Sequence, residues 1–325
     1  MNQPAKDLSV VIPCYDEEAN ISLLYSRLTE TLATIKDIGD YEIVFIENGS
    51  RDKSWELIRQ IIKLDPRVVG YKLSRNFGYQ AAVTVGMQKS TGKNVVVMDG
   101  DLQDVPEFIP QLWNKKKEGY HIVYAVRISR KEGWFKGFLY KAFYRIQRKL
   151  VNFHIPLDAG DFAIYDRKVI DTLNRMPERQ RFVRGLRAWT GFSHAGVPYE
   201  RPARAFGKTK FNLFSMSKLA SDGIFSFTYL PLRLLTLMGF IIAFFSVIGI
   251  LIQITFKLLS VFYDLNLVVT GQSQIIVLII FFGGLNLLGI GILGEYLGRI
   301  YEEIKNRPLY ILDEEERNEN VQDTN

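Results

Sequence analysis

The chain has 325 residues, 47% of them hydrophobic, and a formal net charge of +6. The length suits one large domain or two smaller ones. The charge comes without zinc-finger spacing or an RNA-binding aromatic signature, which excludes the common nucleic-acid modules and leaves anionic lipid as the simpler partner. The single cysteine, Cys14, excludes an intrachain disulfide.

In chain order, MNQPAKDLSVVIPCYDEE opens with a strand pattern that soon turns acidic, and it does not read as a signal peptide. LSVVIP, YEIVFI, RVVGYKL and NVVVMD follow as near-continuous apolar runs typical of buried parallel strands. Between the first two, Ile21, Leu24, Leu28 and Leu32 recur at helical spacing. The alternation predicts a doubly wound α/β sheet. Each strand is followed by a polar turn: CYDEE, ENGSRD, SRNFG and DGDLQD. Open α/β sheets bind ligands at the carboxyl ends of their strands, so these turns gather at one edge. No G-x-G-x-x-G follows the first strand and no G-x-x-x-x-G-K-[ST] occurs, which argues against a dinucleotide fold and a P-loop ATPase.

The fourth turn, in VVVMDGDLQDVPE, collects Asp99, Asp101, Gln103 and Asp104. Two carboxylates about 4 Å apart repel by on the order of 4 kcal/mol at an effective dielectric near 20. A cation should offset that repulsion. Oxygen donors without a nearby His or Cys predict a hard ion, Mg²⁺ or Mn²⁺, that shares its coordination with phosphate.

Farther along, residues 133 to 153 combine Phe135, Phe138, Leu139, Phe143, Ile146 and Leu150 at helical spacing with Lys136, Lys141, Arg145, Arg148 and Lys149, a pattern suited to a membrane interface. Residues 211 to 233 read as a second interfacial stretch, redirected at Pro231. Two uncharged windows, 234 to 256 and 275 to 294, are long enough to span a bilayer. Lys218 and Arg233 precede the first, and Arg299, Lys305 and Arg307 follow the second, which places both termini in the cytoplasm. Gly294 and Gly298 form a G-x-x-x-G that could pack closely against another helix.

The motifs VVIPCYDEEANI, LSRNFGYQAA, MDGDLQDVPE, DAGDFAIYDRK, RFVRGLRAW and GKTKF, together with GEYLGRIYEEIKNRPLYIL, resemble the ordered motifs of polyisoprenyl-phosphate glycosyltransferases. These are family 2 enzymes of the GT-A fold, a group that includes dolichol-phosphate mannose synthase and the bactoprenol glucosyltransferases. The resemblance covers about residues 8 to 311. It implies that Pro13, Tyr15 and Glu17 line a nucleotide pocket, with Glu47 and Asn48 near the base. Asp99 would face ribose and metal, and Asp101 and Gln103 would coordinate the metal. Arg204 and Lys210 would close over the donor pyrophosphate on a mobile loop, and Asp161 would sit by the anomeric carbon as a base or a positioning residue. On charge alone the acceptor phosphate needs cations of its own, and Arg127 and Arg130, after the strand pattern HIVYAV, are the candidates. One departure is Asn48, where the family commonly carries an acid before Gly-Ser; an amide can donate as well as accept a hydrogen bond, so contacts to the base can differ.

The expected protein is therefore an α/β, GT-A (Rossmann-like) sheet followed by interfacial helices and two transmembrane helices. Its expected divisions are a catalytic domain at 1–210, a juxtamembrane region at 211–233, a transmembrane hairpin at 234–298 and a cytoplasmic tail at 299–325. The expected reaction is inverting, Mg²⁺- or Mn²⁺-dependent transfer of a hexose from a nucleotide diphosphate sugar to polyprenyl phosphate at the cytoplasmic face of the plasma membrane. Glucose, UDP and undecaprenyl phosphate are favoured. Mannose, N-acetylglucosamine and aminoarabinose-type sugars are alternatives, as is a non-catalytic sugar-nucleotide-binding scaffold. The membrane anchor leaves room for a homo-oligomer, and Asp104 reads as a helix cap rather than a further ligand.

Overall fold

The computed structural model describes residues 6–127, 159–179, 181–200, 230–263 and 272–318. The chain divides into two compact units: Met1–Gly223 together with Arg307–Asn325, and Ile224–Asn306.

In the first unit the four predicted apolar runs are strands β1 (Leu8–Cys14), β2 (Tyr41–Glu47), β3 (Val68–Leu73) and β4 (Asn94–Val97). Their Val and Ile side chains are buried on both faces, as parallel strands between helical layers require. The intervening helices are α1 (Glu18–Ala33), α2 (Ser54–Leu64) and α3 (Tyr79–Lys89). Ile21, Leu24, Leu28 and Leu32 form the buried stripe of α1, so the helical spacing in the sequence marks its core face. Beyond β4 come α4 (Ile109–Lys116), β5 (Ile122–Arg127), β6 (Ala159–Asp166), α5 (Arg167–Arg175), α6 (Val183–Trp189) and β7 (His194–Tyr199). Asp166 ends β6 and caps α5, its side chain accepting from the Lys168 amide.

The sheet has the order β7-β5-β6-β4-β1-β2-β3-β8, where β8 is Leu312–Glu316. β4, β1, β2 and β3 are parallel neighbours, as expected. The rest is mixed: β6 runs antiparallel to both β4 and β5, and β8 runs antiparallel to β3. The doubly wound pattern thus holds for the amino-terminal half and gives way to mixed pairing beyond β4, where β6 is antiparallel to both neighbours and β7 runs parallel to β5.

β8 lies in what the sequence suggested was a tail. Its sequence, LDEEE, lacks apolar alternation, but the edge it joins is basic. Glu314 accepts from Lys72 Nζ at 2.6 Å and from Trp55 Nε1 at 3.0 Å, Glu316 pairs with Arg59 at 3.0 Å, and Glu315 pairs with Lys89 at 3.4 Å. Ile311 also accepts from the Ser74 amide, tying this segment to the turn that follows β3.

The second unit contains α7 (Leu230–Tyr263) and α8 (Gln272–Ile304), each roughly 50 Å long at 1.5 Å rise per residue. The expected spans, 234–256 and 275–294, fall inside these helices. Large apolar side chains are exposed along both, including Phe240, Phe244 and Phe245 on α7 and Ile279, Leu287 and Ile290 on α8. Among the described residues one segment, Phe281–Ile304, is long and apolar enough to cross a membrane by length and composition. The glycine that brings the helices together is Gly289, where an added Cβ would lie 3.2 Å from the Leu235 side chain. A Cβ added at Gly294 or Gly298 would meet no atom within 4 Å outside its own helix backbone, so the G-x-x-x-G makes no close helix packing among the described residues. The interfacial stretch expected at 133–153 and residues 211–229 of the one expected at 211–233 lie outside the described residues, while Leu230–Arg233, with Pro231, form the first turn of α7.

Candidate active site

The site begins with strand register. Antiparallel β4 and β6 pair Val97 with Ala163, and counting two residues onward from that pair reaches Asp99 on one chain segment and Asp161 on the other. Two acids thus emerge opposite one another at the carboxyl end of β4. Two helix starts meet them. Tyr79, the first residue of α3, donates its hydroxyl to Asp99 Oδ1 at 2.7 Å. Arg184, near the start of α6, donates from Nε and Nη2 to the two Asp161 oxygens at 2.8 and 2.6 Å. The helix starts are also joined directly, because the Val183 amide donates to Gln80 Oε1 at 3.0 Å.

Electrostatics fixes the protonation of both donors. Burial, followed by the charges of Asp99 and Asp161, pushes the Tyr79 phenol well above its ordinary value, so it remains a neutral donor. Burial disfavours the Arg184 charge, but Asp161 outweighs it with help from Asp99, and the guanidinium is held above its ordinary value.

The D-x-D turn is wound tightly. Leu102 has φ of 59°, a left-handed conformation uncommon for a branched residue and typical of functional turns. Asp101 Oδ1 accepts from the Gln103 amide at 3.0 Å, and Asp104 Oδ2 accepts from the Asp99 amide at 3.2 Å. Tyr199, at the end of β7, spans the turn: its hydroxyl donates to the Gln103 carbonyl and accepts from the Val105 amide. This corrects the reading of Asp104 as a cap. The following 3₁₀ turn, Pro106–Phe108, has Val105 at its N-cap and no side-chain cap, and Asp104 instead holds the amide of Asp99.

The turns after β1, β2 and β3 are cross-linked. Glu47 and Asn48 are buried; Glu47 Oε1 accepts from the Ser50 amide, and the Asn48 amide nitrogen of the backbone donates to the Cys14 carbonyl. The Asn48 side chain uses both of its functions, donating to Asn76 Oδ1 at 3.3 Å and accepting from the Phe77 amide at 3.0 Å. A carboxylate there could only accept, so the departure at this position has a structural role. Gly49, at φ of 72°, sits so close to the third turn that a Cβ would lie 2.4 Å from the Arg75 carbonyl carbon. Pro13 lies in β1 opposite Ile46, and half-buried Tyr15 and Glu17 follow it. Glu17 accepts from Asn20 Nδ2 at 2.6 Å, and its amide donates to Ser54 Oγ at 3.0 Å.

With this geometry established, comparison with known proteins is decisive. Residues 9–173 match the family described as glycosyl transferase family 2. The chain belongs to this family. It is 44% identical to the uncharacterized glycosyltransferase YkcC of Bacillus subtilis (strain 168), over 94% of this chain and 92% of that protein. It is 41% identical to the uncharacterized glycosyltransferase sll0501 of Synechocystis sp. (strain ATCC 27184 / PCC 6803 / Kazusa), over 94% of each. Against the prophage bactoprenol glucosyl transferase homolog of Escherichia coli (strain K12), identity is 36% over 94% of this chain and 98% of that protein.

In this family 2 glycosyltransferase the fold sets Asp161 opposite Asp99, at the turn that also carries Asp101 and Gln103. Arg127 ends β5, paired with Tyr199 of β7. Arg130, Arg204 and Lys210 lie outside the described residues. Among the described residues no group of three or more His, Cys, Asp or Glu is gathered that could hold a metal ion. Two carboxylates and an amide at one turn nevertheless fit a hard cation that takes its other ligands from water and a diphosphate. Sequence reasoning passed over Tyr79 and Arg184. Both stand inside quoted motifs, LSRNFGYQAA and RFVRGLRAW, but neither type at that spacing carries a chemical signature of its own.

Proposed function

We propose that this family 2 glycosyltransferase transfers a hexose, with glucose favoured, from a nucleotide diphosphate sugar, with UDP favoured, to polyprenyl phosphate at the cytoplasmic face of the plasma membrane. The observation that carries the reading is the extent of the relatives' match. An alignment of 308 residues to the bactoprenol glucosyl transferase homolog is too long to omit α7 and α8, so the likeness includes the apolar helices as well as the catalytic sheet. Those helices suit a two-span anchor that would keep the protein beside a lipid acceptor.

The chemistry follows from charge. A phosphate monoester carries about −1.5 to −2 charge at pH 7 and needs little deprotonation to act as a nucleophile. Its oxygen attacks the anomeric carbon, the bond from that carbon to the diphosphate oxygen breaks, and the nucleoside diphosphate leaves with the electron pair. One displacement inverts the α-linked donor to a β-linked product. A general base is nearly redundant, and the engagement of both Asp161 oxygens by Arg184 favours a positioning role for this acid. Asp99, Asp101 and Gln103 would hold Mg²⁺ or Mn²⁺, which when bound would stabilise charge on the departing diphosphate. Arg204 and Lys210 would assist there, Arg127 and Arg130 would hold the acceptor phosphate, and Pro13, Tyr15, Glu17, Glu47 and Asn48 would shape the nucleotide side.

The test is a panel of radiolabelled UDP- and GDP-sugars with the purified enzyme and undecaprenyl phosphate, followed by lipid extraction. The expected result is label in a polyprenyl-phosphate sugar whose anomeric coupling constant reports a β linkage. Release of nucleoside diphosphate or inorganic phosphate without any acceptor requirement would overturn the reading.

A further inference from the structure

We infer that Tyr79 is a positioning residue for the transfer reaction, its hydroxyl setting the orientation of the Asp99 carboxylate toward the cation and diphosphate of the donor. The inference rests on the proposed donor chemistry and adds to it a residue from outside the D-x-D turn.

The geometry is specific. Tyr79 follows Gly78, whose φ of 93° starts α3 abruptly, and both sides of this corner are anchored. Before it, the Gly78 amide donates to Asn76 Oδ1 at 2.8 Å, and the Phe77 amide donates to Asn48 at 3.0 Å. After it, Gln80 accepts the Val183 amide of α6 at 3.0 Å. The phenol thereby reaches Asp99 Oδ1 at 2.7 Å from a fixed origin. Asp99 itself stands just past the end of β4, and its backbone amide is held by Asp104.

The type of donor matters as much as its place. A lysine or arginine at this position would orient the carboxylate but also cancel its charge, weakening the attraction for a divalent cation. A neutral phenol fixes the carboxylate and leaves its charge intact. Arg184 supplies the positive charge on the other side of the cluster, where it is matched to Asp161.

Tyr79→Phe removes only the hydroxyl. Mn²⁺ affinity in the presence of UDP is measured by electron paramagnetic resonance, without acceptor or turnover. It is expected to weaken about tenfold, and kcat/KM for the donor to fall roughly tenfold to a hundredfold, the range for losing a hydrogen bond to a charged group. KM for polyprenyl phosphate and the thermal midpoint should stay near wild type. In an Asp99→Asn background the same substitution should add nothing to the Mn²⁺–UDP loss, because its effect runs through Asp99. Wild-type Mn²⁺–UDP affinity in Y79F, or an equal loss in both backgrounds, would overturn the inference. Since binding is read without lipid product, failure of the polyprenyl transfer assay would strike the proposed function and leave this result standing.

Discussion

Arg184 grips Asp161 with a two-point fork, Nε and Nη2 lying 2.8 and 2.6 Å from the two carboxylate oxygens. The pair joins the short helix α6 to the strand that faces Asp99, so it is both a structural link and part of the site's charge.

Arg184→Lys keeps the charge but loses the planar fork. Transfer is expected to fall roughly tenfold, and roughly a hundredfold or more in Arg184→Ala, which removes the two-point fork from a largely buried carboxylate. The alanine variant should also lose about 1–3 kcal/mol of stability, a range that allows for the pair's partial exposure. Steady-state kinetics and chemical denaturation check the two effects separately, and equal activity in all three proteins would refute the role.

Asn48→Asp replaces a group that both donates and accepts with one that only accepts. It sets a carboxylate against Asn76 Oδ1, and Asn76 cannot turn its amide around without depriving the Gly78 amide of its acceptor at 2.8 Å. Stability should fall by about 1–2 kcal/mol. Gly49→Ala, which drives a methyl into the Arg75 backbone at positive φ, should cost roughly 3 kcal/mol. Thermal melts of the two variants should therefore rank wild type above N48D and N48D above G49A.

Asp101→Asn retains an oxygen to accept the Gln103 amide, so the turn should survive while one negative charge is lost. Transfer is expected to drop roughly a hundredfold or more with an unchanged melting curve and normal membrane insertion. Chelation of divalent cations should abolish wild-type transfer, and Mn²⁺ should restore it. Normal turnover in D101N would rule out the metal role.

β8 should respond to acid. Hydrogen bonds from Lys72 and then Trp55 hold the Glu314 carboxyl below its ordinary value of 4.5. The folded protein therefore binds fewer protons than the unfolded chain between that depressed value and 4.5, and stability rises with pH across this window. The contribution is complete above 4.5 and is lost as pH falls through the folded value. Lys72, raised chiefly by Glu314, behaves oppositely: its contribution is complete below 10.5 and is lost as pH rises through the raised value. The protection of β3 and β8 amides, taken relative to the intrinsic exchange rate at each pH, should fall selectively as pH drops below 4.5, and Glu314→Gln should flatten that dependence.

The sequence by itself determined the elements whose signal is local. Runs such as LSVVIP and YEIVFI can bury both faces only as inner strands, and the spacing of Ile21, Leu24, Leu28 and Leu32 defines one helical face. Because parallel strands deliver their following turns to one edge, the sequence alone predicts Asp99 and Asp101 at the edge where such sheets bind ligands. Tertiary structure alone decided which distant segments share that site. Nothing in DAGDFAIYD says that it will run antiparallel to β4 and set Asp161 opposite Asp99, and nothing in LDEEE marks a strand until Lys72, Lys89 and Arg59 stand beside it. Tyr79 and Arg184 were invisible for the same reason. Helix and strand periodicity arises between residues a few positions apart, whereas a hydrogen bond from α3 or an ion pair from α6 depends on strand order and register, which pairing across the whole chain selects.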